Sequence, residues 1–420
     1  MPTFKELIER RKALYEKMSD NSLLVLYAGA LILKSNDLFY EFEVNKNFYY
    51  LTGITEDNAV FLAYKHDGSV IEELFIRGFE ERLYKFTGRL LTFEEASNIS
   101  GIEDVFSVTT LDFEIDSFIK GRKENTPAAK TVYLDVNDAF MIGLNKTTEN
   151  MKQALELNYD IEVKSITDEI VKLRLIKSRN EILHIKEAVK KADQGFKNVL
   201  KHLKVGAKEI QLERDLMYFV KDLGRDSLYR RPFVGVGRHT LSFVNKDLGT
   251  IAKDGELLVI DAAVKEEKYV ASVARTYPVN GKFSNEQAKV YKLLLESIDN
   301  ILEEIKPGAN VHQLNQKLHK NLAESALNLK ILRDSDILNR AIPHILIEQI
   351  GLEEKESFIV GGNLEAGSVI TVAPSIFLED KGYSVRLKDI VVVTQEGSYL
   401  LSKSVLREIN EIETALASRD

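Results

Sequence analysis

The chain of 420 residues contains no cysteine. This removes any disulfide framework, and it removes thiolates both as nucleophiles and as zinc ligands. The same absence fits a cytoplasmic protein. Histidine is scarce, with 7 in the chain, which limits imidazole-rich metal centres. No run approaches the ~18 uninterrupted apolar residues that a membrane-spanning helix needs. The opening Met-Pro-Thr-Phe-Lys-Glu is charged and amphipathic, unlike the apolar core of a secretory signal. No membrane partner is expected. The formal net charge of −8, with no basic stripe interleaved with aromatic residues, argues against a nucleic-acid partner. What is present is 44% hydrophobic and 29% charged, a globular composition long enough for two domains with substantial cores.

Thr3-Phe-Lys-Glu6 reads as a capping box that opens an amphipathic helix with Phe4, Leu7, Ile8, Leu14 and Met18 on its apolar face. Short apolar runs follow at Leu23–Tyr27, Phe48–Leu51, Ala59–Leu62, Glu73–Ile76 and Thr131–Asp135. All five are expected to be strands, separated by turn residues such as His66-Asp-Gly68. Strands alternating with helical stretches make the first ~165 residues a small α/β domain. Ser178-Arg-Asn-Glu181 and Ser284-Asn-Glu-Gln287 are two further capping boxes. The first opens a helix with the stripe Ile182, Ile185, Ala188, Val189, Ala192, Phe196 and Val199. The second opens a helix that ends by Lys306-Pro-Gly308. Strands are expected at Glu256–Ile260, Ser368–Val372 and Asp389–Thr394. Helices and strands intermingle here without a strict βαβ rhythm, so the second half reads as α+β.

Three segments resemble one family. Asp37-Leu-Phe-Tyr-Glu-Phe-Glu-Val-Asn-Lys-Asn-Phe-Tyr-Tyr-Leu-Thr-Gly53 is similar to the amino-terminal signature of Xaa-Pro aminopeptidases. Leu173-Arg-Leu-Ile-Lys-Ser178, with Glu181 and Ile182, resembles the family's interdomain connection and first catalytic-domain helix. Ala274-Arg-Thr-Tyr-Pro-Val-Asn-Gly-Lys-Phe-Ser284, with Gln287 and Tyr291, resembles the strand, turn and helix that follow its second metal ligand. The resemblance runs from about residue 4 to about residue 415. It implies a creatinase-like amino-terminal domain over 1–168 and a pita-bread domain over 169–420. It also implies a homodimer or larger assembly.

The resemblance further implies a site for two divalent metals such as manganese, cobalt or zinc, held by two Asp, one His and two Glu. Such metals activate a bridging water and polarise the scissile carbonyl. The flanking residues locate each ligand position here. Asp261, closing the strand Leu257–Ile260, occupies the first. The second falls on Ser272, three residues before Arg275-Thr-Tyr-Pro278. The histidine position, between His344 and Gly351-Leu352, is Glu348, and a second, substrate-side histidine is replaced by Lys355. The two glutamate positions are Ala373, in Thr371-Val-Ala-Pro-Ser375, and Lys388, after Arg386-Leu387. A substrate-contacting histidine upstream falls on Val244, with His239 nearby but not equivalent. Alanine offers a metal nothing and serine a weak neutral oxygen. An ammonium repels it by about 4 kcal/mol per unit charge pair at ~4 Å and an effective dielectric near 20.

The expected cofactor is therefore none, and the expected function is a degenerate, inactive homologue with a binding, scaffolding or regulatory role, taking a peptide or protein in its cleft. Two alternatives stay open. One is a metal-free, creatinase-like hydrolase with His344 and Glu348 as acid and base and Arg386 gripping a carboxylate. The other is an active Xaa-Pro aminopeptidase or dipeptidase with atypical ligands. Each retained residue also has a plain structural reading: Asp261 as a turn or salt-bridge residue, His344 as a hydrogen-bonded core histidine, Arg386 paired with a local carboxylate, and Glu353-Glu-Lys-Glu356 as a solvated turn. Lys388 is expected to replace the metals electrostatically by pairing with Asp261, Glu348 or both, because convergent carboxylates in a partly buried cleft repel one another.

Overall fold

The computed structural model describes residues 2–123, 126–136, 146–224, 227–244, 247, 249–333, 338–356 and 362–418. Proximity along the backbone divides the chain into two compact units, Met1–Arg174 and Leu175–Asp420.

The first unit is built on a six-stranded mixed sheet. In chain order its strands are β1 (Ser22–Tyr27), β2 (Val60–His66), β3 (Ser69–Ile76), β4 (Asp104–Ser107), β5 (Thr131–Leu134) and β6 (Glu162–Ser165). Across the sheet they lie in the order β4-β3-β2-β1-β5-β6. Pairs β1–β2 and β2–β3 are antiparallel, while β1–β5, β5–β6 and β3–β4 are parallel. β1 is buried at every residue, as its unbroken apolar run requires of a central strand covered on both faces. Leu23, Val25, Val60, Leu62, Phe75 and Phe118 share one core. Helix α1 (Phe4–Tyr15) begins at the expected capping box of Thr3 and Glu6 and buries Leu7 and Leu14, but Phe4 is exposed.

The expected strand at Phe48–Leu51 is instead helix α2 (Lys46–Thr52). Asn45 caps it by accepting from the Phe48 N–H at 2.9 Å. Gly53, at φ 69°, closes it in the left-handed conformation. Aromatic residues favour strands only weakly, and two good caps on a seven-residue segment override that preference.

In the second unit, helix α3 (Arg179–His202) starts at the capping box of Ser178 and Glu181 and packs on the hairpin of β8 and β9 and on helix α4 (Glu209–Asp222). Strands β7 (Phe233–Val236), β8 (Leu257–Glu266) and β9 (Tyr269–Pro278) form one sheet in the order β9-β8-β7. A two-residue turn joins β8 to β9, with Glu267 and Lys268 at φ 47° and 70°, the left-handed geometry that matches the twist of a tight hairpin. Helices α5 (Asn285–Leu302) and α6 (Val311–Asn328) follow. The chain ends in β10 (Ile347–Gln349), β11 (Val369–Val372), β12 (Ser375–Leu378), β13 (Tyr383–Arg386), β14 (Asp389–Val393) and β15 (Ser398–Leu400). Of these, β10-β11-β14-β15 form a four-stranded sheet, and β12 and β13 form a hairpin. Helices and strands mix as the α+β reading expects. Among the described residues no helix is long and apolar enough to cross a membrane.

Candidate functional site

Strand register brings three of the five expected ligand positions together. In the β8–β9 ladder Asp261 lies opposite Ala274 and Ala263 opposite Ser272, so Asp261 and Ser272 are diagonal neighbours on one face. Lys388, in the single-residue step between Leu387 and β14, forms a bridge with Ala274. Its N–H donates to the Ala274 carbonyl at 3.0 Å and its own carbonyl accepts in return at 3.3 Å. A residue paired with Ala274 projects its side chain to the face that holds Asp261. The Lys388 ammonium accordingly donates to both Asp261 oxygens at 3.1 Å and to Ser272 Oγ at 3.0 Å.

Arg230, which the sequence reading did not single out, and Glu354, from the run expected to be a solvated turn, complete the cluster. Leu228 bridges Val264, and the Tyr229 N–H donates to the Ala263 carbonyl at 3.0 Å, which lays Arg230 along β8 beside Asp261. Arg230 grips Glu354 with two parallel bonds, Nε at 2.6 Å and Nη2 at 2.9 Å, and Nη2 also reaches Asp261 Oδ1 at 2.8 Å. Glu354 further accepts from Ser272 Oγ at 2.6 Å and from the Lys388 ammonium at 3.4 Å. The run Glu353–Glu356 is therefore not a solvated turn, since Glu354 is largely buried within the cluster. It is tied down by the Val270 N–H donating to the Gly351 carbonyl at 2.7 Å. Gly351 has no room for a side chain: an added Cβ would lie 2.3 Å from Glu356 Oε1.

Two cations and two carboxylates thus form a neutral quartet. Burial pushes the Asp261 carboxyl upward, but the charges of Lys388 and Arg230 outweigh it and hold the group below its ordinary value. Burial opposes ionisation of Glu354 as well, yet its bonds to Arg230 and the Lys388 charge hold it well below the usual carboxylate range. For Arg230 burial works against the charged form, and Glu354 and Asp261 more than offset it, raising the guanidinium further.

The other positions fall outside this quartet. The Glu348 carboxylate binds the Lys355 ammonium at 2.8 Å, so the residues at the two expected histidine positions neutralise each other. Ala373 follows β11 and donates its N–H to the Leu346 carbonyl at 2.7 Å. His344 is exposed rather than a core histidine, and its ring stacks on His319 of α6 with centroids 5.4 Å apart. Among the described residues no hydrogen bond or ion pair joins His344 to Glu348. Val244 is exposed. His239 is committed to the buried Glu209 carboxylate at 2.8 Å, which also accepts from the Val236 N–H at 2.6 Å.

Arg386 corrects another expectation: it pairs with no carboxylate among the described residues. Nη2 donates to the Thr240 carbonyl at 2.5 Å and to that of Ser242, and the guanidinium carbon lies 4.7, 4.5 and 4.9 Å from the ring centroids of Phe233, Phe243 and Phe377. Burial pushes this guanidinium down to about 10, against the pull of the Asp261 charge. Its backbone is fixed by Thr276 Oγ1, which accepts from the Arg386 N–H at 2.9 Å and donates to its carbonyl at 2.9 Å.

Two family profiles match the chain: the aminopeptidase P amino-terminal domain over residues 7–126 and metallopeptidase family M24 over residues 184–395. The chain belongs to the aminopeptidase P group of metallopeptidase family M24. Aminopeptidase P relatives align along its whole length. The Xaa-Pro aminopeptidase of Haemophilus influenzae is 27% identical over 98% of this chain and 97% of its own. The Xaa-Pro aminopeptidase of Escherichia coli is 25% identical over 98% of this chain and 98% of its own. Among solved structures, an aminopeptidase P from Bacillus anthracis superposes with a TM-score of 0.94 at 29% identity, covering 100% of this chain and 99% of that one. The architecture is accordingly that of the aminopeptidase P group, an amino-terminal domain followed by a carboxy-terminal pita-bread domain. Among the described residues, no group of three or more His, Asp or Glu side chains is arranged to hold a metal ion.

Proposed function

We propose that this chain is an aminopeptidase P homologue in which built-in cations stand where its relatives' dinuclear metals would sit, and that it binds peptide or protein ligands rather than hydrolysing them. The observation that carries this reading is the Lys388 ammonium 3.1 Å from both oxygens of Asp261. A divalent ion on Asp261 would have to displace that ammonium. Its remaining ligands would come from Ser272, whose hydroxyl is donated to Glu354 at 2.6 Å, and from Ala373, which has no donor. Those residues do not fit a pair of metals. A single ion in the place of the ammonium would meet Asp261, Glu354 and Ser272, with both carboxylates already bonded to Arg230, which falls short of the four ligands of zinc or the six of magnesium.

The neutral quartet supports a site held in shape by its own charges. Ser272 and Lys388 lie 3.0 Å apart, the separation of a Ser–Lys nucleophile and base. Against that use, the Ser272 hydroxyl proton goes to Glu354 and the residue has no exposure, while Lys388 donates to two carboxylates and accepts nothing.

Elemental analysis of the purified protein is expected to find less than one divalent metal per chain. Xaa-Pro peptides are expected to survive incubation with added manganese, cobalt or zinc. Two metals per chain with turnover lost on chelation would reject the reading.

We also propose self-association. Around the small hairpin of Leu33–Ser35 and Leu38–Phe39, the side chains of Leu31, Ile32, Leu33, Leu38, Phe39 and Tyr40 are exposed, within and beside the amino-terminal signature. An apolar patch of this kind on a water-facing surface marks a contact region. Sedimentation at micromolar concentration is expected to give a dimer or larger, and a species of 47.7 kDa alone would count against it.

A further inference from the structure

We infer that the seam between α6 and the stretch from Ile342 to β10 is a proton-operated latch. His319 on α6 and His344 opposite it hold the stretch in place while both rings are neutral, and release it when acid charges them. This device is independent of the binding role proposed above.

Asn315 and His319 lie four residues apart on α6, so their side chains share one face. Both grip the same irregular stretch. The Asn315 carbonyl oxygen accepts from the N–H groups of Leu346 and Ile347 at 2.7 and 2.9 Å, and its amide donates to the Ile347 carbonyl at 2.8 Å. These bonds do not titrate. His319 bonds the Ile342 carbonyl. Its Nε2 is buried with no hydrogen-bond partner, so Nδ1 is the donor and the neutral ring keeps a bare lone pair on Nε2. The face of the ring lies against His344, with 5.4 Å between centroids and 17° between planes.

Acid works against this arrangement in two ways. A proton arriving on His319 goes to Nε2, where it makes a charged donor without an acceptor in a place shielded from water. A proton on the exposed His344 adds a second cation over the same ring. No neighbouring carboxylate relieves this. On α6 itself Lys317 pairs with Glu304 at 2.7 Å, Lys320 with Glu324 at 3.9 Å, and His312 Nε2 bonds Gln316 at 2.9 Å. On α5, Lys289 donates to the Leu329 carbonyl at 2.6 Å and Glu296 lines the groove toward α6. On β10, Glu348 is taken by Lys355, and Arg340 of the short helix Leu338–Ala341 is one more cation. Of all these groups, His344 is the one whose charge reaches His319. Burial first, and then the His344 charge, hold the His319 imidazole below its ordinary value, against the pull of the Ile342 bond.

The sign follows from that direction. The unfolded value is about 6.5, and the folded one lies lower. The latch's contribution is therefore fully present above about pH 6.5 and is lost as pH falls through the folded value. Its reach extends to the site. The Leu346 carbonyl accepts from the Ala373 N–H at 2.7 Å, and β10 carries Glu348. Opening the seam thus loosens the backbone at two of the five expected ligand positions.

Hydrogen exchange of the full chain, read by mass spectrometry at about pH 7.5 and about pH 5 and corrected for the intrinsic rate, tests the latch. Amides of residues 342–349 are expected to exchange about tenfold faster at the lower pH, while those of β8 and β9 stay within about twofold. His319→Asn keeps a donor near the Nδ1 position and has a similar helix propensity, but takes no charge. It is expected to leave exchange in 342–349 the same at both pH values. No acceleration in the parent, or the same acceleration in His319→Asn, overturns the latch. Should that variant fail to fold, His344→Ala changes an exposed residue and is read by proton NMR titration of the His319 ring. The parent ring is expected to titrate below about 6.5 and to move upward in His344→Ala. A parent midpoint at or above about 6.5, or one unmoved by the substitution, overturns the inference as well.

Discussion

Replacing Lys388 by glutamate lowers the stability of the metal-free protein by about 3–5 kcal/mol at pH 7, the range for removing one partner of a buried ion pair. The change withdraws the ammonium that lies 3.1 Å from both Asp261 oxygens and 3.4 Å from Glu354. In its place comes a third carboxylate, with Arg230 as the one remaining cation of the quartet. The pH dependence carries the signature. Asp261 and Glu354 titrate in the folded protein below their ordinary values, which are about 3.9 and 4.3 in the unfolded chain. Their contribution to stability is therefore fully present above those values and is lost as pH falls through the depressed folded ones. In the variant the crowded carboxylates repel each other and hold their protons to higher pH. The deficit should then be largest near neutrality and shrink below about pH 4. Urea midpoints measured from pH 7 to pH 3 read this directly. Lys388→Met, which removes charge without reversing it, should fall between the two. A Lys388→Glu variant with the parent's midpoint at pH 7 would remove the electrostatic role assigned to this lysine.

The second large effect lies directly beneath the first. Asp389→Asn is expected to destabilise by about 3–5 kcal/mol, because it strands a fully buried guanidinium. Arg275 has 0% exposure and Asp389 1%, and Nη2 meets Oδ1 at 2.6 Å. Ser402 Oγ adds a bond to the same oxygen at 2.6 Å. Arg275 Nη1 also donates to the carbonyls of Ala274 and Lys388, both at 2.9 Å, so the pair fixes the backbone from which Lys388 projects. Arg275→Met should be similarly harmful. The double variant Arg275→Met, Asp389→Leu should recover much of the loss, since two apolar side chains leave no charge unpaired. Additive losses in the double variant, or a single variant within about 1 kcal/mol of the parent, would contradict this account.

The parts of the fold legible in the sequence were those with local physical signals. Ser178 with Glu181 and Ser284 with Gln287 both cap helices, because a capping box is complete within four residues. β1 was readable for a similar reason, as an unbroken apolar run. The segment Phe48–Leu51 misled because its aromatic residues carry a strand preference, while the deciding signals, Asn45 and Gly53, flank it. In the site, Asp261, Ser272 and Lys388 were placed by flanking motifs and meet through strand register. Arg230 and Glu354 could not be placed in this way. Nothing local distinguishes Arg230 from Arg231, and Glu354 sits in a run of charges that resembles a surface turn. The usable signal was charge balance: a buried Asp beside Lys388 and a charged run just after the tight Gly351 called for a search for further counter-ions.

The quartet also constrains how this protein could change over generations. Each of its charged members is held by at least two of the others, so exchanging any one alone leaves an uncompensated charge in a poorly hydrated place. A path toward the two-metal ligand set that the family resemblance implies would have to alter Lys388, Ser272, Glu348 and Ala373 and move Arg230 aside. The steps that exchange Lys388 or move Arg230 lose stability before any metal affinity is gained. Coupled changes of this kind are strongly non-additive. Once such a cluster has formed, it acts as a one-way gate: the intermediates that would lead out of it fold less well than either end point.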